Sequence, residues 1–378
     1  MHIAVWPASI RPTCRYPVYR ARNWQVVLPD MNEDKTFNIA QVVASTGNGG
    51  LERHACDLAS GLVAQGHQVS FLTTSAVAPR VPKGVRPVTL SLDGNRRNPL
   101  VLLELIRTLR AGKFDIIHAQ GSKAAQMLAL ILPFLPNACA TVGTLHNQKK
   151  NVRAFRKLDW AIGVSKALSK DIGSDRVTTI YHGLPSFREV NPHEDLTSQG
   201  RPHFLAIGRL VEAKGFDRLI EAWASIDANL YIIGEGPLEG ELEDMIRTHA
   251  LADRVKLLGR SEHVPNYLKA ADGVIVSSRR EGFSYVVAEA LLCNCPVLST
   301  DVPVANEVLD PDLILSHDIN VMREQIVRWI ADIDAWKAKC ESAFETASQE
   351  FTFDHMITKT VDLYRTLLKT QTIMRSQG

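Results

Sequence analysis

The sequence predicts an α/β protein made of two facing, Rossmann-like doubly wound domains with a helical C-terminal tail. Three observations predict it. The chain has 378 residues, which suits two domains at roughly 150 residues each. Short β-branched runs alternate with segments of helical apolar spacing, the pattern of a parallel sheet covered by helices on both faces. That alternation stops in the polar stretch NPHEDLTSQGR (191–201) and then starts again. With 45% hydrophobic and 22% charged residues the composition is that of an ordinary globular protein, which excludes disordered, collagenous and coiled-coil classes.

Residues 1–36 show no period of 2 or 3.6 and end in the polar run MNEDKT, so they are expected to form an extension outside the fold. From Phe37 the chain becomes regular. FNIAQVVAS (37–45) reads as a buried strand and TGNGG (46–50) as a glycine-rich turn. The next segment, 51–66, reads as a helix with Leu51, Ala55, Leu58 and Leu62 on one face and Gly66 to end it. Strands follow at FLTT-containing 67–74, at FDIIHAQ (114–120), ATVGTLH (140–146), WAIGVS (160–165) and VTTIYHG (177–183), which completes an N-terminal domain over 37–195. In the second domain, 196–350, strands PHFLAIGRL, NLYIIGEGP, RVKLLGR, GVIVSS and PVLSTD alternate with helices FDRLIEAWASI, LEGELEDMIRTHAL, HVPNYLKAA and SYVVAEALLC. The tail is helical with a break near Phe351–Phe353. Its last helix, 351–378, is expected to pack back on the N-terminal domain.

The net charge of +2 hides a division. Residues 37–195 carry 19 Lys+Arg against 11 Asp+Glu, whereas 196–378 carry 19 against 27. A basic half suits an anionic membrane surface, a phosphorylated substrate or nucleic acid, or it is an uneven surface with no partner. No recognition module or set of stacking aromatics accompanies the charge, so a nucleic-acid role is not expected. Six cysteines form no CxxC pair and no His-spaced zinc pattern, and read as reduced thiols of a cytoplasmic protein. The longest apolar stretch, Met127 to Ala140, is too short to span a bilayer and contains Pro133 and Pro136. No secretion signal is expected, because the first residues lack a continuous apolar core.

Three segments carry candidate chemistry. The first is the turn Thr46–Gly50, where backbone N–H groups at a helix start and residues without side chains let a phosphate approach. It is not G-x-G-x-x-G, and the next strand ends in no acid, so a nicotinamide cofactor is disfavoured; a plain tight turn also fits. The second is GRLVEAKG, in which Arg209 and Lys214 lie five apart across a strand–helix loop. There they would clamp a diphosphate or be solvated surface charges. The third is SSRREGFSYVVAEALL. Here Ser284 is a candidate cap, and the amides of Gly282, Phe283 and Ser284 would point at an anion. Glu281 and Glu289, eight apart, could grip hydroxyl pairs on either side of a phosphate linkage; a capping and a solvent-facing Glu is the plainer alternative.

Together these motifs resemble a family. Glu281…Glu289, GRLVEAKG, GNGGLERH, DIIHAQG, TLHN (144–147), IGVS (162–165) and YHG (181–183) are similar, as an ordered set over about 37–370, to the family 4 retaining glycosyltransferases of the B-type fold. The resemblance implies a UDP- or GDP-sugar donor in the C-terminal domain and a glycan or glycolipid acceptor in the N-terminal one, in lipopolysaccharide or other surface polysaccharide assembly. Carried onto this sequence, Arg209 and Lys214 would hold the diphosphate and Glu289 the ribose. Glu281 would contact the sugar beside the 282–284 amides, Gly49 and Gly50 would close over the phosphates, and Arg260 would lie by the base. Where many relatives read H-x-H, this chain has His118-Ala119-Gln120, so either His118 or Gln120 would meet the donor sugar, with His146 of TLHN as a further sugar or acceptor contact. Cations and helix N-termini can stabilise a departing nucleoside diphosphate. No DxD-like motif ends a strand, so neither metal nor cofactor is expected.

Lys149, Lys150, Arg153, Arg156 and Lys157, interleaved with Val152 and Phe155, suit the anionic cytoplasmic face of an inner membrane or a phosphorylated glycolipid, or form an exposed basic loop without a partner. Two other functions remain open. A nucleotide-sugar epimerase of the same fold would turn over donor without acceptor, and a non-catalytic sugar-nucleotide or glycan-binding protein would bind nucleotide and release no sugar.

Overall fold

The computed structural model describes residues 35–376 apart from 48, 138 and 197–201. The extension expected at 1–36 therefore lies almost wholly outside the described residues, as does the end of the polar stretch 191–201. Two compact units divide the chain: residues up to Gly183 together with Phe353 onward, and Leu184–Thr352. The sequence places the join at 191–201, but the chain changes units at Gly183/Leu184. The intervening residues are held by the second unit. Leu184 donates its N–H to the Phe351 carbonyl at 2.8 Å, His193 donates its N–H to the Asn266 carbonyl at 3.0 Å, and the His193 ring stacks on Tyr267.

The first unit holds a seven-stranded parallel sheet of β1 (Asn38–Val43), β2 (Gln68–Thr73), β3 (Arg86–Thr89), β4 (Ile116–Gln120), β5 (Ala140–Leu145), β6 (Trp160–Gly163) and β7 (Val177–Thr179). Its order is β3-β2-β1-β4-β5-β6-β7. β4 and β5 are buried along their whole length, because helices cover both faces of the sheet. The sequence reading misses β3. Its four residues, RPVT, have no apolar alternation, and Pro87 is tolerated only because the strand lies at the edge. The helices are α1 (Gly50–Ala64), α2 (Pro99–Ala111), α3 (Gly121–Ile131) and α4 (Lys166–Ile172).

The C-terminal helix (Phe353–Ser376) completes this unit by lying against α1. Gly61 makes the approach possible, since a Cβ there would sit 2.0 Å from Ile357 Cδ1. Met356, Ile357, Val361 and Tyr364 join Leu58, Leu62, Phe71 and Ile116 in one buried cluster. Burial of each such side chain contributes about 1.5–3 kcal/mol.

The second unit is a six-stranded parallel sheet of β8 (His203–Ile207), β9 (Asn229–Ile233), β10 (Val255–Gly259), β11 (Gly273–Val276), β12 (Val297–Thr300) and β13 (Ile314–Leu315), ordered β10-β9-β8-β11-β12-β13. Around it lie α5 (Phe216–Trp223), α6 (Glu239–Thr248), α7 (Val264–Ala270), α8 (Tyr285–Leu292), α9 (Ala305–Val308), α10 (Ile319–Ile330), α11 (Ile333–Lys339) and α12 (Glu341–Glu350). β13 has only two residues and leaves no pattern to read. In each unit the strand order reverses once, between β1 and β4 and between β8 and β11. Open parallel sheets bind ligands outside the carboxyl ends of the strands at such a point.

Candidate active site

In the second unit the loop after β8 carries Arg209 and Lys214, and the loop after β11 carries Glu281. Because β8 and β11 are neighbours, both loops emerge at the reversal point. Lys214 Nζ lies 2.5 Å from Glu281 Oε1, and Ser278 Oγ donates to the same oxygen at 2.9 Å. Ser277 Oγ donates to the Lys214 carbonyl at 2.9 Å. Arg279 forks onto both Asp217 oxygens at 2.8 and 2.5 Å, and its backbone N–H reaches the Ala213 carbonyl. The fork lowers the Asp217 pKa against the opposing effect of burial.

Two glycines let these loops come so close. Gly215 has φ +67°, and a Cβ on it would lie 2.3 Å from the Ser277 carbonyl oxygen. Gly234, after β9, has φ +156°, and its Cβ would lie 1.8 Å from the Gly208 oxygen. No other residue type fits either position.

The sequence-derived donor residues of the second unit lie on the segments that follow β8, β10 and β11. The Lys214 stem lies over Gly208, next to Arg209, which is exposed and has no side-chain partner among the described residues. Gly282, Phe283 and Ser284 are buried ahead of α8, and Glu289 is half-buried in its second turn. The expected cap is corrected: Ser284 occupies the cap position, but its Oγ makes no capping bond and is buried without a partner. The N–H groups of Gly282 and Ser284 have no partner among the described residues either. Arg260 stands exposed after β10, its Nη1 3.7 Å from Glu235 Oε1.

In the first unit Gly49 precedes α1, and the loop is braced by Glu52, a buried carboxylate that the sequence reading misses. Glu52 accepts from the Gly49 N–H at 2.7 Å and from Ser45 Oγ. The capping pattern, an acid three residues beyond Gly49, is the signal that could have found it. A cavity of about 840 Å³ opens over the β1–β4 reversal point. Residues Ser45 and Thr46 after β1, Gln120 at the end of β4 and His146 after β5 line it.

His118 is corrected here. The sequence allows it as a catalytic group, but it is fully enclosed, with Nδ1 2.6 Å from Tyr364 Oη and Nε2 2.6 Å from Thr144 Oγ1. Both ring nitrogens are taken, so it ties the C-terminal helix to β4 and β5. Gln120 is the alternative that reaches the cavity. Its Oε1 accepts from His146 Nε2 at 2.9 Å, which makes His146 Nδ1 the acceptor from His182 Nε2 at 3.3 Å. His54 packs on both of these rings. Burial lowers the pKa of all four histidines, to about 3 for His54 and His118, so the cluster is neutral. No group of three or more His, Cys, Asp or Glu among the described residues is arranged to hold a metal ion.

Two doubly wound units, each a parallel sheet whose strand order reverses once, are the B-type glycosyltransferase architecture. The family model "Glycosyltransferase Family 4" matches residues 48–186 and the model "Glycosyl transferases group 1" matches 187–333. The chain belongs to the family-4-like glycosyltransferases of the B-type fold. Among its relatives are two glycosyltransferases of Methanocaldococcus jannaschii. One is 28% identical, the match spanning 55% of this chain and 60% of the relative; the other is 24% identical over 84% and 94%. A subunit of the phosphatidylinositol N-acetylglucosaminyltransferase of Arabidopsis thaliana is 27% identical over 71% of this chain and 67% of its own length. HepE of Anabaena, solved in complex with UDP, shares the fold with a TM-score of 0.73 at 20% identity, covering 87% of this chain and all of that one.

Proposed function

We propose that the protein transfers a hexose, with retention of configuration, from a UDP- or GDP-sugar to a glycan or glycolipid acceptor. The observation that carries the donor reading is the Lys214–Glu281 contact, with unpartnered Arg209 beside it at the β8–β11 reversal point. Lys214 already grips an oxyanion, and Arg209 offers a planar fork matched to a phosphate. On this reading both groups stabilise the charge that grows on the departing diphosphate, which is where preorganised charge accelerates a transfer most. The Gly282 and Ser284 amides add to that field, Glu289 holds the ribose, and Arg260 borders the base.

UDP is the first donor base to test, because the structural neighbour HepE was solved with it. A glycolipid acceptor, as in lipopolysaccharide or surface polysaccharide assembly at the cytoplasmic face of a membrane, agrees with the name of the Arabidopsis relative. No helix among the described residues is long and apolar enough to cross a membrane.

A thermal-shift panel of UDP- and GDP-sugars tests the donor. A ligand at 100 times its Kd should stabilise by about 2.7 kcal/mol. Sugar release that requires acceptor separates a transferase from an epimerase, and UDP binding without release under any acceptor would identify a non-catalytic binding protein.

A further inference from the structure

The cavity of the first unit has a charge pattern that the donor reading leaves unused. Arg96 and Arg97, in the loop before α2, line it together with Lys123 of α3 and Lys149, against the single carboxylate of Asp93. Lys123 Nζ donates to the Asp93 carbonyl at 2.7 Å, while the guanidinium groups of Arg96 and Arg97 have no partner among the described residues. Four cations around one pocket repel one another until an anion enters, and two arginine forks suit the several oxygens of a phosphate. The sequence reading misses both arginines, although the RR pair was visible.

Three residues beyond Arg97 the chain begins to expose apolar side chains. Leu100, in the first turn of α2, is 74% exposed, the most exposed large hydrophobic side chain among the described residues, and Leu103 is 41% exposed. Leu100, Leu103, Arg107 and Arg110 fall at i, i+3, i+7 and i+10, one outward stripe, while Val101, Leu105 and Leu109 are buried on the other side. Apolar residues followed by cations on one exposed stripe are the makings of an interfacial helix. A soluble phosphate would satisfy the arginines and leave Leu100 in water.

We propose that this cavity binds the phosphate of an anionic lipid held in a bilayer, with Leu100 and Leu103 entering the apolar layer beside it. The inference deepens the reading of the first unit as the acceptor side and rests on it for the lipid's role as acceptor. The basic segment singled out in the sequence continues the same band. Lys149 lines the cavity, and Lys150, Arg153 and Arg156 line a second, smaller one of about 380 Å³.

The test is flotation of the full chain with phosphatidylcholine vesicles and with vesicles that also contain phosphatidylglycerol, with UDP binding measured on the same samples. Binding should require phosphatidylglycerol. R96Q/R97Q should weaken it on the order of 30-fold, at about 1 kcal/mol per charge near the surface. Leu100→Asn, at an exposed site that the fold does not use, should weaken it several-fold with UDP binding unchanged. Equal binding to both vesicle types, or wild-type binding by R96Q/R97Q, overturns the proposal. So does binding of glycerol 3-phosphate in solution, lost in R96Q/R97Q, without vesicle binding; the pocket would then serve a soluble phosphate. In each of these cases retained UDP binding leaves the donor site standing, whereas a wild-type chain that floats but binds no nucleotide counts against the proposed function alone.

Discussion

Lys214 and Glu281, 67 positions apart in the chain, meet at 2.5 Å where the loops after β8 and β11 leave neighbouring strands. The contact follows from the strand order. A parallel sheet that winds outward in both directions from its middle leaves two adjacent strand ends with diverging loops, and these two residues occupy that gap. The Lys214 and Glu281 side chains are 21% and 11% exposed, so the pair keeps one side toward solvent and is partly shielded on the others.

Replacement of Arg209 or Lys214 by Ala should lower kcat/KM on the order of 10- to 100-fold, because charge-assisted bonds of this kind contribute about 1.5–3 kcal/mol each. The fall should appear in kcat as well as in donor affinity. Both residues lie in a loop, so the melting temperature should change little. Wild-type transfer by both variants would make them solvated charges and move the donor site elsewhere.

Glu289→Ala should behave differently. The ribose is remote from the bond that breaks, so loss of this half-buried carboxylate should raise donor KM and leave kcat nearly unchanged. Initial-rate kinetics over a donor series separate the two constants, and a fall in kcat alone would contradict the assignment.

Gly234→Ala and Gly215→Ala should destabilise the second unit by more than about 2 kcal/mol, since each Cβ would meet a carbonyl oxygen and each backbone has positive φ. Gly66→Ala is the control. It shares a positive φ of +85° but meets nothing within 4 Å, and should cost about 1 kcal/mol. Equal losses of melting temperature in all three would show that the loops do not pack as closely as described.

The buried histidines set an acid limit. His54, His118, His146 and His182 are held neutral when folded, whereas in the unfolded chain each titrates near 6.5. Their lowered pKa values mean that stability is complete above about pH 6.5 and is lost as pH falls below it, down to about 3 for His54 and His118, because the unfolded state takes up protons first. Each group costs about 1.4 kcal/mol per pH unit in that window. The melting temperature should therefore drop steeply just below pH 6.5, and less steeply in H54Q/H182Q. A flat wild-type profile would contradict the burial of this cluster.

Much of this was legible in the sequence, for physical reasons. Strands such as NIAQVV and NLYII are buried on both faces and write continuous apolar runs, and the glycines after β8 mark loops that only glycine can form. Short edge strands β3 and β13 escape notice because two to four residues carry no period. The chain changes units ahead of the polar stretch 191–201, because Leu184 and a His193–Tyr267 stack, contacts that only the folded chain displays, tie the preceding residues to the second unit. His118 was ambiguous for the same reason. Its partner Tyr364 lies 246 positions away on a helix from the far end of the chain. The arginines of the first-unit cavity sit in the unpatterned loop DGNRRNP, whose place over the sheet depends on the crossover from β3 to β4.

Calorimetric titration of the full chain with UDP and with GDP, on wild type and on the R209A/K214A variant, tests the central claim most directly. The account predicts that one of the two nucleotides binds at a single site and that the double replacement weakens it at least 100-fold, from about 1.5–3 kcal/mol per lost contact. Failure of both nucleotides to bind the wild type, or binding that the double replacement leaves intact, would contradict it.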